Sequence, residues 1–454
     1  MNADQLDDTI RDTLNAWTPK DSGAPAGIAD RIVRRRRRRN LVRATGAVLG
    51  LAGVTLGAAL VTGATGDDGA RPATRVSKES KLLWRTTLPG KSWDACTTGA
   101  GDVYCRGVGY DAIGVDGRTG GIDWRREAKD PHSGSSPAGT MPGVRDGIVY
   151  TYADHDPGAT SAGTDLVALD ADTRKVLWRH KLADDSRGAD SAVLFDGGVL
   201  ANTPTFKRVA ALDGRTGRTL WTYHRTQADC ARAVIGGVPY LTCSPDSAKA
   251  PQRSAVVRLD PKTGRPTEVA TVKGLTVKIG TDGDAVLLIA PADGKAFSDK
   301  PGSALLIRVD TGSGAVTRHK LDRPLSGVVA DGRVLGTDGD GRAFAYSADD
   351  GRRLWTRDLG LTLRKAPHDP TMREIPSDAA VDLSARVAYF LDPSGHLVGL
   401  DLDSGEVRWR GDVPQPKSPL QAGVAPELMR EGRSLVGQTG GELFRIEPRP
   451  SPKG

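Results

Sequence analysis

The stretch Val167–Leu182, VALDADTRKVLWRHKL, places an aspartate after an apolar run and a tryptophan eight residues after that aspartate. Three other stretches keep this spacing, at Asp116–Trp124, Asp213–Trp221 and Asp401–Trp409. Aligned on the turn, the unit recurs seven times, at Asp116, Asp170, Asp213, Asp260, Asp310, Ser347 and Asp401. Five units keep the tryptophan, and Glu268 and Arg318 replace it in the fourth and fifth. Such repetition predicts one architecture built from similar units.

The turn inside each unit has a physical explanation. An aspartate at the first position can accept hydrogen bonds from backbone N–H groups further along the turn. A glycine after Thr or Ser, such as Gly120 or Gly217, supplies the positive φ that reverses the chain. In the opening stretch Arg174 stands in its place. The chain has 56 glycines, and units of this length hold four short strands, so we expect many tight hairpins.

The repeat resembles the PQQ-type β-propeller repeat, whose signature is roughly A-x-D-x-x-T-G-x-x-x-W. The likeness covers about residues 81–450. It implies an all-β fold of eight radial, four-stranded antiparallel blades, in which each tryptophan docks between adjacent blades. The residues expected in that role are Trp84, Trp124, Trp178, Trp221, Trp355 and Trp409.

The two ends of the repeat region predict how the ring closes. Lys81–Leu88 is a tryptophan strand without a turn before it, and Ser434–Glu447 is a pair of strands without a tryptophan strand after it. Pairing them would complete an eighth blade and remove exposed sheet edges. Trp84 should then lie near Phe444. Because blades four and five lack the tryptophan, we expect the loosest seam there.

The first eighty residues predict a membrane anchor. Ten of the 63 Lys and Arg lie in residues 1–43, six of them consecutive, and residues 44–63 contain no ionisable side chain. Twenty helical residues span about 30 Å, the thickness of the hydrocarbon layer. Because Lys and Arg stay on the cytoplasmic side, residues 1–43 should be cytoplasmic, 44–63 a transmembrane helix and 64–80 a flexible linker. The propeller, 81–450, would then be extracytoplasmic, on a single-pass protein of the cell membrane.

Other interpretations of this region stay open. Arg38–Arg43, RRNLVR, resembles the twin-arginine export pattern, and a cleaved signal would also export the propeller. Gly-x-x-x-Gly spacings from Gly46 and Gly53 allow a homodimer through the membrane helix. Leu6, Ile10, Leu14 and Trp17 fall at helical spacing, so the cytoplasmic segment is either a partner-binding helix or a solvated one. The rest of the chain is near neutral, which argues against nucleic acid as a partner.

The four cysteines lie beyond the membrane segment in two close pairs, Cys96 with Cys105 and Cys230 with Cys243. Each pair flanks a hairpin with a glycine-containing turn. In an oxidising compartment this spacing predicts two local disulfides, and the absence of C-x-x-C with a nearby His argues against zinc.

Catalytic signals are weak. The resemblance brings in quinoprotein dehydrogenases, which use pyrroloquinoline quinone, Ca²⁺ and a disulfide between adjacent cysteines; this chain has no adjacent cysteines. His132, His155 and His368 could meet on loops and bind a metal, but Asp-Pro and His-Asp pairs are typical of polar turns. We therefore predict no catalytic, cofactor or metal site, with a divergent quinoprotein dehydrogenase as the alternative.

The expected function is binding. The propeller should serve as a scaffold or sensor at the cell envelope, with a protein or peptide partner on one face. Contact residues are expected in loops 128–142, 152–165, 244–254, 290–303 and 361–378. The arginine, alanine and glycine bias is typical of a GC-rich genome, such as an actinobacterium. The resemblance also includes the propeller lipoprotein of the outer-membrane assembly machine, but this chain lacks a lipobox cysteine beside its apolar segment.

Overall fold

The computed structural model describes residues 76–450 except 90–91, 108, 129–140, 155–163, 183–190, 205–207, 225–228, 245–252, 293–303, 323–326, 339, 362, 367–368, 414–424 and 440. The predicted cytoplasmic segment, membrane helix and most of the linker lie outside these residues. In the described part of the chain, no helix is long and apolar enough to cross a membrane.

Each repeat forms one four-stranded antiparallel sheet, a blade, with its strands side by side in chain order. Blade 1 holds β2 (Ser92–Gly99), β3 (Asp102–Gly107), β4 (Tyr110–Val115) and β5 (Ile122–Glu127); blade 2, β6 (Gly143–Arg145), β7 (Ile148–Asp154), β8 (Thr164–Asp170) and β9 (Val176–Lys181); blade 3, β10 (Ala192–Phe195), β11 (Gly198–Asn202), β12 (Arg208–Leu212) and β13 (Thr219–His224); blade 4, β14 (Asp229–Ile235), β15 (Val238–Ser244), β16 (Arg253–Leu259) and β17 (Pro266–Lys273).

The second half of the ring repeats this order. Blade 5 holds β18 (Val277–Asp282), β19 (Ala285–Pro291), β20 (Ala304–Asp310) and β21 (Val316–Leu321); blade 6, β22 (Val328–Ala330), β23 (Arg333–Thr337), β24 (Arg342–Ser347) and β25 (Arg353–Asp358); blade 7, β28 (Ala380–Asp382), β29 (Val387–Leu391), β30 (His396–Asp401) and β31 (Val407–Asp412). A small hairpin, β26 (Lys365–Ala366) with β27 (Asp369–Arg373), lies in the connection from blade 6 to blade 7.

Blade 8 is built from both ends of the described chain. Its order is β1 (Ser80–Thr87), β34 (Glu442–Pro448), β33 (Ser434–Thr439) and β32 (Glu427–Glu431). β1 pairs antiparallel with β34, and Arg85 lies opposite Phe444. The predicted closure, with Trp84 near Phe444, is confirmed. The blade takes three strands from the C-terminal side rather than the expected two, because β32 supplies its first strand.

Burial explains why the middle strands are so apolar. β19, AVLLIAP, and β29, VAYFL, are buried along their whole length. A sheet covered on both faces has no solvent side, so its inner strands lose the alternation of apolar and polar residues. The covering layers here are the neighbouring blades.

Eight clusters of buried apolar side chains lie between the blades, one at each seam, which we define as the interface between two neighbouring blades. At the seam of blades 8 and 1, for example, Trp84 and Leu443 pack with Cys105 and Val115. The first strands of neighbouring blades also contact one another around most of the ring, including β2 with β32. The fold is therefore an eight-bladed β-propeller with four-stranded antiparallel blades.

The two flat faces of the ring differ in their connections. The turn face carries the links from first to second strand and from third to fourth strand, each of six residues or fewer. The loop face carries the other links, which reach 21 residues between Asp358 and Ala380. Because strands alternate in direction, all links of one kind must lie on one face.

Candidate functional site

The third-to-fourth-strand turn is held by its aspartate. In blade 1 the Asp116 carboxylate accepts hydrogen bonds from the backbone N–H groups of Arg118 and Thr119, at 2.9 and 2.6 Å, and from the Thr119 hydroxyl at 2.8 Å. The Gly120 N–H donates to the Asp116 carbonyl at 2.8 Å. Asp170, Asp213, Asp260, Asp310 and Asp401 make the equivalent carboxylate bonds. The repeated aspartate therefore has a structural role.

These hydrogen bonds lower the pKa of the turn aspartates. Bonds from Thr119 hold the pKa of Asp116 below its usual value, and bonds from Thr216 do the same for the pKa of Asp213. A carboxylate that accepts several N–H bonds is favoured in its charged form. The turns therefore carry ionised aspartates at neutral pH.

Five of the tryptophans predicted to dock between blades donate a hydrogen bond from the indole N–H to the next blade around the ring. The acceptor is a backbone carbonyl: Gly117 for Trp84 (2.8 Å), Gly214 for Trp178 (2.8 Å), Pro261 for Trp221 (3.0 Å), Leu402 for Trp355 (3.1 Å) and Glu79 for Trp409 (2.8 Å). The first four acceptors follow the turn aspartate or its equivalent directly. These four bonds thus fasten the outer strand of one blade to the turn of its neighbour, and the Trp409 bond fastens β31 to the residue that precedes β1.

Two separate features require glycine in the turn: its backbone conformation and the close approach of an indole ring. Gly217 has φ +69°, and a Cβ there would lie 2.5 Å from Cγ of Trp178. The positive φ disfavours any side chain, and the indole already fills the space where one would go. The glycine and the tryptophan of the preceding blade therefore form one joint.

Blades 4 and 5 seal their seams differently. A Cβ at Gly314 would lie 2.6 Å from the Val269 carbonyl oxygen, and one at Gly351 would lie 3.0 Å from Cβ of His319. The residues that lie against the turn glycine of the next blade are thus Val269 and His319, one position after Glu268 and Arg318. In blade 5, β20 and β21 pair without the bulge seen between Ala211 and Leu212 in blade 3. Losing the extra residue shifts which side chains face the seam.

The expectation of a loose seam at blades 4 and 5 is wrong. That seam holds a cluster of eleven buried apolar residues, whereas the seam of blades 1 and 2 holds seven, the smallest of the eight clusters in the described chain. At the seam of blades 4 and 5, valine and isoleucine side chains replace the missing indole.

The seam of blades 1 and 2 departs from the pattern. Trp124 packs at this seam, but it is only half-buried, and within the described residues its indole N–H has no hydrogen-bond acceptor. The turn it faces contains Arg174, a non-glycine residue with φ 65°. Trp124 therefore lies between its blade and the next, as the resemblance implies, but no hydrogen bond fastens it to the turn of that blade, where a side chain occupies the place of the glycine.

A cavity of about 200 Å³ opens at this seam. It is lined by Asp102, Tyr104, Gly114, Val115, Asp123, Trp124, Ala171, Asp172 and Arg174. Burial, followed by the charges of Asp102 and Asp172, raises the pKa of Tyr104 to about 12. The sequence signal for this site was Arg174 in the glycine position of the turn.

Both predicted disulfides are present and confirmed. Cys96–Cys105 and Cys230–Cys243 each join the first and second strands of one blade, with Cα atoms 4.0 and 3.9 Å apart. No other cysteine exists in the chain. Neither bond joins adjacent cysteines, so the disulfide that quinoprotein dehydrogenases place against the quinone is not formed.

The remaining site predictions meet the structure only in part. His132, His155 and His368 lie outside the described residues, as does most of each predicted contact loop except 361–378. In the ranges that are described, no group of three or more His, Cys, Asp or Glu side chains is placed to hold a metal ion. Among these residues, therefore, no donor set for Ca²⁺ is in place.

Described side chains on the loop face include an oriented histidine. Nδ1 of His396 lies 2.8 Å from the carboxylate of Asp392, which is fully buried, while the imidazole is 46% exposed. It borders a second cavity of about 340 Å³, together with Lys78, Arg410 and Asp412. This cavity lies where the chain enters the ring, because Ser77 bonds to the backbone of Arg408 and Arg410.

Comparison with known proteins assigns the family. The protein family described as "Outer membrane protein assembly factor BamB" matches residues 135–277 and 276–436, about two thirds of the chain. The chain belongs to this PQQ-type propeller family. The matched residues begin before blade 2 and end in blade 8, so the match covers blades 2 to 7 and part of blade 8.

Individual relatives match shorter parts. The outer membrane protein assembly factor BamB of Nitrosomonas eutropha is 29% identical over 162 residues, 36% of this chain and 35% of that protein. A quinoprotein ethanol dehydrogenase of Pseudomonas putida is 39% identical over 56 residues, 12% of this chain and 9% of that protein. The chain thus covers about a third of the first relative and about a tenth of the second.

Solved structures agree on the fold. BamB from Moraxella catarrhalis has a TM-score of 0.54 at 16% identity, covering 81% of this chain and all of that one. The computationally designed Ika8 protein has a TM-score of 0.55 at 12% identity, covering 81% of this chain and 99% of that one. At these identities the likeness establishes the propeller and nothing about partners.

Proposed function

We propose that this protein is a membrane-tethered, extracytoplasmic scaffold that binds a protein partner through the loop face of its propeller. The observation that carries this proposal is the asymmetry of the two faces: all connections longer than six residues lie on the loop face. Variable loops on a rigid scaffold are where binding residues concentrate. The family and the relative from Nitrosomonas eutropha bear the name of an assembly factor, which supports a role in binding other proteins.

The rigidity of the ring suits this role. The indole–carbonyl bonds fasten the seams near the turn face, and each disulfide joins two strands within one blade, with Cys230–Cys243 stiffening blade 4 next to the loop face. A partner can therefore bind there without breaking a seam. This arrangement gives a preorganised surface, which lowers the entropic cost of binding.

The partner is tested by crosslinking in the native membrane. A photoreactive residue at His396 or Asp412, both exposed on the loop face, should give a discrete crosslinked protein. The matched positions are Arg352 and Glu406, exposed on the turn face of blades 6 and 7. Equal crosslinking from both faces, or none from the loop face, would contradict the proposal.

The tether is tested separately. We expect the full-length protein to stay with membranes after alkaline extraction, and the propeller to be digested by protease added outside the cell. Leu56→Arg should release it to the soluble fraction, whereas Leu56→Ile should not, because a charge in the middle of a membrane span costs about 2.5–3.5 kcal/mol. Recovery of the wild-type protein in the soluble fraction would refute the tether.

Catalysis provides a further check. The purified protein with pyrroloquinoline quinone, Ca²⁺ and an alcohol should not reduce an acceptor dye. Dye reduction that depends on the quinone would contradict a binding role.

A further inference from the structure

The cavity at the seam of blades 1 and 2, which we call the seam cavity, has an internal comparison in the same ring. Elsewhere, Trp84, Trp178, Trp221 and Trp355 close the equivalent space by donating to the neighbouring turn. At the seam cavity, Trp124 makes no such bond. Sites where a repeat breaks its own rule are where function is to be sought.

The seam cavity carries excess negative charge. Three carboxylates line it, Asp102, Asp123 and Asp172, against the single guanidinium of Arg174. Asp102 is held by the Gly117 N–H at 3.1 Å. Asp123 and Asp172 are exposed, and among the described residues neither has an ion-pair partner. Their charge is therefore available to a cation from outside.

The size and the lining select the kind of cation. The three carboxylates do not converge as a metal site does, since no metal-holding group occurs among the residues described. A volume of about 200 Å³ equals that of about seven water molecules and falls below the usual 300–1,000 Å³ of small-molecule pockets. It suits the end of one side chain. Trp124 and Tyr104 add aromatic rings, which attract organic cations.

We propose that the seam cavity binds the guanidinium or ammonium group of a single arginine or lysine side chain from a partner polypeptide. The aromatic rings receive the apolar stem and the delocalised charge, and Asp123 and Asp172 at the mouth pair with the cation. This site lies on the turn face and stands apart from the proposed loop-face partner, so either proposal can fail without the other.

The probe is Nα-acetylarginine amide, titrated into the full-length protein in detergent and followed by ligand-observed NMR. Its neutral analogue, Nα-acetylcitrulline amide, has nearly the same shape. We expect saturable binding of the arginine compound in the millimolar range and at least tenfold weaker binding of the citrulline compound. Equal binding of both compounds, or no saturation, would overturn the proposal.

Variants separate the site from general electrostatics. The pair Asp123→Asn and Asp172→Asn should weaken binding at least tenfold. A pair with the same change of charge, Asp196→Asn with Glu406→Gln, lies elsewhere on the turn face and should change it less than twofold. Equal losses from the two pairs would show that only net charge matters.

Arg174→Gly gives the sharpest outcome. It removes a positive charge, so a purely electrostatic attraction would strengthen. The restored glycine should instead let Trp124 dock on the turn and fill the cavity, and binding should be lost. Retained or stronger binding in this variant, with the protein folded by circular dichroism, would overturn the assignment of the cation to the seam cavity.

Discussion

The joint between turn glycine and indole can be isolated by two alanine substitutions, one in a turn of blade 2 and one in a turn of blade 3. Gly217 and Gly147 have nearly the same φ, +69° and +71°. A Cβ at Gly217 would meet Trp178 at 2.5 Å, whereas one at Gly147 would meet nothing within 4 Å. The two substitutions therefore share the backbone strain and differ only in the clash with the indole.

The expected magnitudes follow from this difference. Left-handed backbone costs a non-glycine residue about 1–2 kcal/mol, partly offset by a less flexible unfolded chain, so Gly147→Ala should destabilise by about 1 kcal/mol. Gly217→Ala adds overpacking of about 1–3 kcal/mol and should destabilise by about 2–4 kcal/mol. The gap between the two free energies of unfolding should thus be about 1–3 kcal/mol.

The measurement is urea unfolding of the segment from residue 76 to the C-terminus, followed by tryptophan fluorescence and far-UV circular dichroism. Coincident transitions and equal m-values would justify comparing the two free energies. A double-mutant cycle completes the test: with Trp178→Ala present, the penalty of Gly217→Ala should fall to that of Gly147→Ala. A gap below about 0.5 kcal/mol between the single variants, or a cycle without coupling, would refute the joint.

Three other predictions concern stability. Trp178→Phe should lower the free energy of unfolding in urea by about 1 kcal/mol, because it loses a buried hydrogen bond. Trp124→Phe should lower it by less than half as much. Equal losses would contradict the different docking of the two rings. Replacing Cys230 and Cys243 by alanine should cost about 3 kcal/mol, as loop closure over a span of 13 predicts, and an unchanged urea midpoint would argue against this. Hydrogen bonds hold the pKa of Asp213 below its ordinary value of 3.8, so its stabilisation is present above that pH and lost as the pH falls through the folded-state pKa. Asp213→Asn should therefore make unfolding less dependent on pH below about 4 and have no such effect between pH 6 and 8, by urea titration at each pH.

Much of the fold could be predicted from the sequence because the repeat records local chemistry. An aspartate, a Thr or Ser and a glycine specify one turn, and their recurrence in phase counts the blades. The split blade could also be predicted, since one end has a tryptophan strand without a turn and the other has strands without a tryptophan. The disulfides followed from hairpins that bring close cysteines together.

Predictions about the seams failed where they depended on strand register. Alignment placed Arg318 at the tryptophan position, but β21 pairs without a bulge, so His319 takes the place instead. A bulge moves every later side chain of the strand to the opposite face of the sheet, and the amino-acid sequence gives little sign of where a bulge occurs. In blade 4 the bulge is kept but lies two residues further along the outer strand, between Glu268 and Ala270, so the sequence could not show that valine and isoleucine would fill the seam of blades 4 and 5.

The sequence by itself determined the number of blades, the turn that begins each outer strand and the strand that closes the ring, because these depend on neighbours along the chain. Only the tertiary structure decided which seams are sealed and which one opens. The reason is that a seam is made by two blades at once: the turn that Trp124 faces carries Arg174 in place of glycine, fifty positions further along the chain. Contacts between residues so far apart along the chain depend on how the two blades pack, and neither residue alone determines that packing.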